Sequence, residues 1–221
     1  MQKPTHGITF EVDGIKKHTW KDWQIVPQSR PVFSTPKVRK SQIVVPGLDG
    51  VLDVSKALTG EVQYEMRTGK FDFLVHDKSN WANKFTEICN FLHGKDVKVT
   101  FDDDPNFYYK GTAEVTDWAN GDRHTTVEIT VEADPFKYKN KVTQVKKTIS
   151  QQGTVTCPNL RKSVIPHIIS NANMNLTFDG TTASIQSGTS IVPEFRFKQG
   201  DNIVTCKGNE TITFEYQEGG F

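Results

Sequence analysis

The sequence has almost no net charge, and this argues against a nucleic-acid-binding protein. Its 27 basic residues nearly cancel its 26 acidic residues, which leaves a formal net charge of +1. A nucleic-acid-binding protein of this size usually carries a clear basic excess, because neutralising phosphates supplies most of its affinity. A near-neutral chain repels its own copies little and tends to associate with other proteins. The charge balance therefore predicts protein assembly and no sequence-specific nucleic-acid binding.

Cysteines and long apolar runs are also scarce. Cys89, Cys157 and Cys206 are odd in number and widely spaced, so they predict neither a disulfide framework nor a zinc ribbon. They fit reduced, partly buried thiols of a protein made in a cytosol. The first residues lack the apolar core of a signal peptide, and no apolar run reaches the ~18 residues of a membrane span. We therefore expect no membrane insertion.

The sequence lacks the short motifs that mark common enzymes. It contains no glycine-rich phosphate loop, no G-x-S-x-G elbow, no paired-histidine zinc helix and no C-x-x-C. Its histidines are scattered singly, and each is most simply a surface or strand residue. We therefore predict no enzyme, no catalytic residue, no cofactor and no bound metal.

Aspartate–glycine pairs and alternating segments predict a chain that is mostly β. Asp13-Gly14, Asp49-Gly50 and Asp179-Gly180 each lie between apolar runs. Glycine tolerates the positive φ of tight hairpin turns, so each pair predicts a hairpin. Residues alternate between apolar and polar, as in half-buried strands, in segments 71–75, 97–101, 107–115 and 126–132.

One segment, about 79–93, has the period of a helix instead. Its apolar stripe consists of Trp81, Phe85, Ile88 and Leu92. Ser79 is placed to cap the start and Gly94 to end the helix. Cys89 and His93 have a metal-ligand spacing, but no further histidine lies nearby. A cysteine beside the apolar stripe and a histidine in the last turn is the simpler interpretation.

A proline-rich, basic segment at 24–41 predicts an extended arm or long loop, since closely spaced prolines exclude a helix and a central strand. A solvated loop and an arm that contacts a partner fit it equally well. If it is an arm, the candidate contact residues are Arg30, Pro31, Pro36, Lys37, Arg39 and Lys40.

The acidic triplet Asp102, Asp103 and Asp104 is the strongest local candidate for a metal site. Consecutive side chains in an extended segment point in alternating directions, however, and a calcium loop needs alternate ligands and a central glycine. The next residue is Pro105, and aspartate before proline starts turns. The triplet therefore predicts the corner of a hairpin rather than a metal site.

The composition changes after residue 140. Residues 141–154 are polar and predict a linker or an exposed connecting strand, which we place at 141–152. From about Gly153, glycines at 180, 188, 200 and 208 have the turn spacing of a small β-sandwich. Alternation in 193–198 and 211–216 places Phe195, Phe197, Ile212, Phe214 and Tyr216 on inward faces. We predict two β domains, 1–140 and 153–221.

The order of these segments resembles the distal tail proteins of long-tailed (siphovirus) bacteriophages that infect Gram-positive bacteria. The segments that carry the likeness are PGLDGVLDVS (46–55), the FDFLV strand (71–75), the W-x3-F-x6-LHGK helix (81–95), the VTFDDDPNFYYKG turn (99–111) and EADPFKYK (132–139). The motifs cover roughly residues 40–140, and over 153–221 the likeness rests on pattern alone.

The resemblance implies a mainly β fold with an N-terminal β-sandwich-like domain, one helix, a long hairpin or arm, and a C-terminal galectin-like β-sandwich. It implies a virion protein at the tail tip, made in the host cytoplasm. There it forms a ring, commonly a hexamer, that joins the tail tube to the baseplate or fibre and leaves a channel for DNA. Its expected partners are its own copies, the tail tube, a tail-associated fibre or lysin protein and a receptor-binding protein.

Two other functions stay open on the sequence. The C-terminal sandwich is a candidate for binding host saccharides, although every tryptophan precedes residue 140 and a sugar site usually needs an exposed aromatic ring. A cell-wall hydrolase is the third hypothesis, and no catalytic motif supports it.

Overall fold

A computed structural model describes residues 6–57, 60–76, 80–120 and 125–221 and divides the chain into two compact units, Met1–Pro135 and Phe136–Phe221. The prediction of a mainly β fold is confirmed. The described part of the chain includes no helix that is long and apolar enough to cross a membrane. The division falls a few residues before the linker predicted at 141–152.

In its described residues the first unit contains eleven strands and one helix. They are β1 (Ile8–Val12), β2 (Ile15–His18), β3 (Ile25–Pro27), β4 (Val38–Arg39), β5 (Gln42–Ile43), β6 (Leu52–Asp53), β7 (Gln63–Tyr64), β8 (Arg67–Val75), α1 (Trp81–Leu92), β9 (Lys95–Phe101), β10 (Phe107–Asn120) and β11 (Thr125–Lys139), whose last residues belong to the second unit. The main sheet has the order β2-β1-β9-β10-β11-β8-β3, while β4 pairs with β7 and β5 with β6.

The aspartate–glycine turns form as predicted. In the β1–β2 hairpin Val12 pairs with Ile15, which leaves Asp13 and Gly14 as the two turn residues, both with positive φ. This backbone twist matches the twist of the flanking strands, which is why glycine is favoured there. The pair at 49–50 lies instead within a longer loop, 44–51, between β5 and β6.

Helix α1 buries Trp81, Ile88 and Leu92, three of the four stripe residues predicted, against the sheet. It ends at Leu92, and Gly94, two residues later, has a φ of 72°, a conformation that favours glycine. The predicted cap, Ser79, lies outside the described residues. The Nδ1 atom of His93 accepts the backbone N–H of Val115 at 3.2 Å, so this histidine ties the helix end to β10.

Gly111 lies where the backbones of two neighbouring strands of the first unit come very close together. It lies on β10 opposite Val97 of β9. A Cβ atom at this position would come within 2.1 Å of the backbone oxygen of Glu132 on β11. Only glycine leaves room for the two backbones there, which gives a physical reason for the glycine that follows the aromatic run at 107–109.

The second unit forms from seven further strands. They are β12 (Thr143–Asn159), β13 (His167–Ser170), β14 (Met174–Phe178), β15 (Thr181–Ile185), β16 (Gly188–Ile191), β17 (Gly200–Tyr216) and β18 (Gly219–Gly220). The two longest, β12 and β17, pair along their full length from Thr143 to Asn159. Strands β13 and β14 pair with β17, β16 extends β13, and β15 extends β14.

Of the linker and the connecting strand predicted for 141–152, the structure shows the strand, because the backbone of 143–152 hydrogen-bonds to β17 and Ile149 enters the core. One feature of the second unit differs from the sequence analysis. Gly200 and Gly208 do not separate strands but lie within β17. The predicted inward residues of 193–198 and 211–216 are all buried. The galectin-like character of this unit stays a prediction.

The C-terminal residues close the second unit. In β18, Gly219 and Gly220 pair with Tyr138 and Lys137. The carboxylate of Glu218 is buried and accepts hydrogen bonds from Lys139 Nζ and, at 2.5 Å, from Thr143 Oγ1. A buried carboxylate directly before the last strand is therefore paired with the partly exposed Lys139 of β11, which the sequence analysis did not anticipate.

Candidate assembly surface

The first half of the proline-rich segment is bound to the first unit. Strand β3 pairs with β8, with Ile25 opposite Val75. Further along, Phe33 bridges to Gly69. The backbone N–H of Ser34 donates to the backbone oxygen of Thr68 at 2.9 Å, and Ser34 Oγ accepts the N–H of Thr68 at 3.0 Å. Residues 25–34 thus follow the edge of β8, where a proline is tolerated because it has no N–H to pair.

Phe33 anchors this half in the core. Its ring lies 5.4 Å from Phe71, 5.7 Å from Phe101 and 4.2 Å from Tyr109, measured between ring centroids. The ring passes over Gly69, where a Cβ would approach Phe33 within 2.7 Å. Aromatic packing of this kind carries a large burial energy, so the chain is held firmly up to this point.

Arg67 holds the two chain segments together at the same place. Its side chain is buried, its Nε donates to the backbone oxygen of Ser34 at 2.8 Å, and its guanidinium lies 5.0 Å from the centroid of Tyr109. Burial lowers the pKa of Arg67, but an arginine still remains charged. The chain therefore leaves the body of the first unit after residue 36 and returns to it at residue 67. The contact between Arg67 and Ser34 joins the outgoing and returning segments at this point.

Between these points lies the arm, which we define as residues 37–57 and 60–66. Val38 pairs with Tyr64 and Ile43 with Leu52, so two short ladders follow one another. Single backbone bonds continue them, with Glu65 N–H donating to Lys37 at 2.8 Å and Val54 N–H donating to Ser41 at 2.9 Å. The arm is thus a two-stranded extension of the first unit.

The apolar side chains of the arm are exposed. Val44 is 75% exposed and Leu48 is 54% exposed. The others that are exposed are Val38, Ile43, Val45, Val51, Leu52 and Met66. Single exposed apolar residues are normal, but a concentration of them on one extension marks an interaction surface. Short ladders also leave unpaired backbone groups that a partner strand can satisfy.

The six candidate contact residues fall into two groups. Arg30 lies before the arm and is paired with Asp103 at 2.9 Å, Pro31 is half-buried, and Pro36 is buried. Lys37, Arg39 and Lys40 lie on the arm and are exposed. The sequence analysis did not single out the apolar residues at 43–52 as contacts, although the unalternating run Ile43-Val44-Val45 was the available signal.

The acidic triplet forms the corner predicted for it. Val99 of β9 pairs with Tyr109 of β10, and the turn is closed by the N–H of Asp104 donating to Phe101 at 3.1 Å. Asp103 accepts a hydrogen bond from His6 at 2.9 Å and one from Arg30 at 2.9 Å. The bond from His6, followed by that from Arg30, lowers the pKa of Asp103.

Asp102 faces a buried histidine. The Nδ1 atom of His18 accepts backbone N–H groups of Trp20 at 3.1 Å and Lys21 at 3.2 Å. Nδ1 therefore carries no proton, and Nε2–H donates to Asp102 at 3.2 Å. Gly7 makes room for this pair, since a Cβ there would lie 2.5 Å from Nε2.

These aspartates thus bind histidine and arginine side chains rather than one another. In the ranges that the structure describes, no group of three His, Cys, Asp or Glu side chains is arranged to hold a metal ion. The sequence analysis missed both histidine contacts, because His6 and His18 lie more than eighty positions away from the turn. No local signal connects residues so distant in the chain.

The second unit has a polar cleft that bears on the saccharide hypothesis. Its volume is about 630 Å³, within the range of small-molecule sites. It is lined by Asn173, Met174, Asn175, Ser184, Ile185, Gln186, Lys207 and Gly208. None of these lining residues is aromatic, so the cleft offers amide and hydroxyl groups without a ring on which a sugar can stack.

Comparison with known proteins yields a structural likeness. No protein-family model matches the sequence, and no curated protein matches it. Among solved structures, the chain is similar to the crystal structure of the Dit protein of phage SPP1, described as a paradigm of the hub adsorption apparatus in phages that infect Gram-positive bacteria. The TM-score is 0.63 at 17% identity, and the match covers 95% of this chain and 98% of that chain. The two chains share a fold.

Proposed function

We propose that this protein is a structural component of a phage tail tip, similar to the distal tail proteins of phages that infect Gram-positive bacteria. The observation that carries the proposal is the exposed apolar arm on a fold shared with the SPP1 Dit protein. An arm of this kind is unfavourable on a free monomer and favourable in an assembly, because its aliphatic side chains leave water on contact.

In this proposal the first unit closes into a ring, most simply a hexamer, and the second unit is a galectin-like sandwich. The ring joins the tail tube to the baseplate or fibre, leaves a channel for DNA, and contacts the tube, a fibre or lysin protein and a receptor-binding protein. The protein then acts at the tip of the virion tail by geometry alone, and it is not an enzyme. A contact between two different patches supports such a ring, because it closes when the rotation fits.

The alternative function is saccharide binding by the second unit. Only the cleft at Asn173–Asn175 and Lys207 supports it. We expect a glycan array probed with the full-length protein to be blank. Micromolar binding that is lost in Asn175→Ala and Lys207→Ala variants would place this hypothesis first.

The ring is tested by shortening the arm. Ser41 and Val54 are joined by a backbone hydrogen bond, so residues 42–53 are replaced by Asn-Gly, a favoured two-residue hairpin turn. A wider deletion of 28–40 is unsuitable, because it removes the buried residues Phe33 and Pro36. We expect light scattering after size exclusion to show an oligomer several times 24.9 kDa for the parent and a monomer for the variant.

Tryptophan fluorescence supplies the folding control, since all four tryptophans lie in the first unit. A matched variant, Ile191→Ser with Ile203→Ser, removes exposed apolar residues of the second unit and should leave the oligomer intact. A parent that stays monomeric at every concentration, with no rotational symmetry in assembled particles, would refute the ring.

A further inference from the structure

A second exposed apolar surface lies on the first unit, away from the arm in sequence. The ring of Trp118 on β10 stacks on Phe85 of α1 at 4.7 Å with an interplanar angle of 26°, and Trp81 lies 6.4 Å from Trp118. We call these three residues the aromatic patch. Trp118 is 44% exposed. It is the one aromatic residue among the large exposed hydrophobic side chains found in the described part of the first unit.

The aromatic patch is not fully packed and hydrogen-bonded within one chain. Trp81 is 7% exposed, and its indole N–H is buried with no hydrogen-bond partner in the described structure. A buried donor without an acceptor is unfavourable. Tryptophan is also the residue most enriched at the centres of protein interfaces, where a partner excludes water from it. The exposed indole ring of Trp118 therefore indicates that the aromatic patch is completed by another chain.

The arm of a second copy is the occupant that fits. A ring built from one repeated contact requires two different surfaces on each copy, and the arm supplies only one. The arm offers aliphatic side chains such as Val44 and Leu48, which pack well against flat aromatic rings.

Charge agrees with this pairing. Lys37 and Arg39 of the arm are exposed, and no ion pair is found for either within the described ranges. Glu114 and Asp117 lie on β10 close to Trp118 in sequence and are exposed. Opposite charges at the rim of an apolar contact set its orientation and raise its association rate.

We propose that the arm of one copy docks on the aromatic patch of the next copy. The ring contact is then head to tail, with residues 43–52 of one chain against α1 and β10 of its neighbour. This proposal rests on the ring proposed above and specifies which two surfaces form it.

Cross-linking tests the contact directly. Cys89 lies one helical turn after Phe85 and is half-buried, whereas Cys157 and Cys206 are buried. A Leu48→Cys variant treated with a short bis-maleimide should give intermolecular dimers and higher ladders. Adding Cys89→Ser should remove them, and Ile203→Cys, which places an exposed thiol in the second unit, should not produce them. Ladders that persist without Cys89, or that never form, would overturn the docking site.

A second measurement separates failure of this site from failure of the ring. Trp118→Ala should raise the dissociation constant of the oligomer about thirtyfold, as for the loss of an interface hot spot. Ile15→Ala, an exposed residue of the same unit, should change it less than about twofold. If the arm-shortened variant is monomeric while Trp118→Ala assembles as the parent does, the ring stands and the patch is refuted. If the parent never assembles, both proposals fail.

Discussion

The two units of this protein handle their apolar side chains in opposite ways. The second unit ends with a strand that returns to its first residues, and its exposed large hydrophobic residues, Val142, Ile191, Ile203 and Phe221, are scattered along the chain. The first unit has a dense aromatic core around Phe33 but extends an arm whose aliphatic residues face water. One unit is closed by its own last strand, and in the proposed ring the other is completed by a neighbouring copy.

This difference indicates which surface of a β protein to examine for an assembly role. A closed unit buries its apolar residues in its own core, where they contribute to its own stability. Phe195, Phe197 and Phe214 are examples. Apolar residues that are exposed on an extension contribute no burial free energy until another surface covers them. The difference between the units predicts different responses to mutation.

The largest effect should come from Gly111→Ala in the first unit. The added methyl would lie 2.1 Å from the backbone oxygen of Glu132, so the strands must separate, and we expect a loss of about 3 kcal/mol in unfolding free energy. Denaturation followed by tryptophan fluorescence measures the first unit, and denaturation followed by hydrogen exchange in peptides from β12 and β17 measures the second. The matched variant in the second unit is Gly153→Ala, which meets only Ile149 at 3.2 Å. Equal losses for the two variants would show that the close approach at Gly111 is not tight.

The second largest loss of stability should test whether the C-terminal strand β18 closes the second unit. Glu218→Ala leaves the Lys139 ammonium without its buried partner, and we expect a loss of about 2 kcal/mol. Hydrogen exchange should rise in peptides from β12 and β17, while the fluorescence transition of the first unit stays unchanged. Glu194→Ala, at an exposed position, is the control. Unchanged exchange in β12 would mean that the C-terminal strand does not close this unit.

A smaller effect concerns pH and the acidic corner. The pKa of Asp103 is lowered in the folded state from its usual 3.8. Its stabilisation is therefore fully present above that value and is lost as the pH falls through the lower folded pKa. Asp103→Asn should cost about 0.5 kcal/mol at pH 6, and the difference should vanish at low pH.

The same variant tests the expectation that the corner holds no metal. EDTA or added calcium should change the melting temperature of neither the parent nor Asp103→Asn. A calcium-dependent rise in the parent that the variant lacks would contradict both the hairpin-corner interpretation and the pairing with His6 and Arg30.

The smallest effect on stability separates two arginines of the proline-rich segment. Arg30→Gln removes an exposed ion pair within the chain, so it should lower unfolding free energy by less than about 0.5 kcal/mol and leave assembly unchanged. Arg39→Gln should leave stability unchanged and weaken assembly, most clearly at low salt. Light scattering at two salt concentrations distinguishes them, and the reverse pattern would place the contact before the arm rather than on it.

Local patterns in the sequence determined much of the fold. The turns at Asp13-Gly14 and Asp179-Gly180 and the helix with its stop at Gly94 follow from backbone preference and periodicity. The inward faces at Phe195 and Phe214 follow from alternation along a strand. Each of these depends on residues within a few positions of one another, which is why the sequence alone was sufficient for them.

Tertiary structure decided the rest. The role of 143–152 as a strand depends on β17, which begins some forty residues after β12 ends. The partners of Asp102 and Asp103 are His6 before the first strand, His18 at the end of the second strand and Arg30 of the proline-rich segment. Which residues of 24–66 belong to the core and which to the arm is set by Phe33 packing over Gly69 and by Arg67 bonding to Ser34. These contacts join residues that are distant in the chain, and they form only when the whole sheet folds.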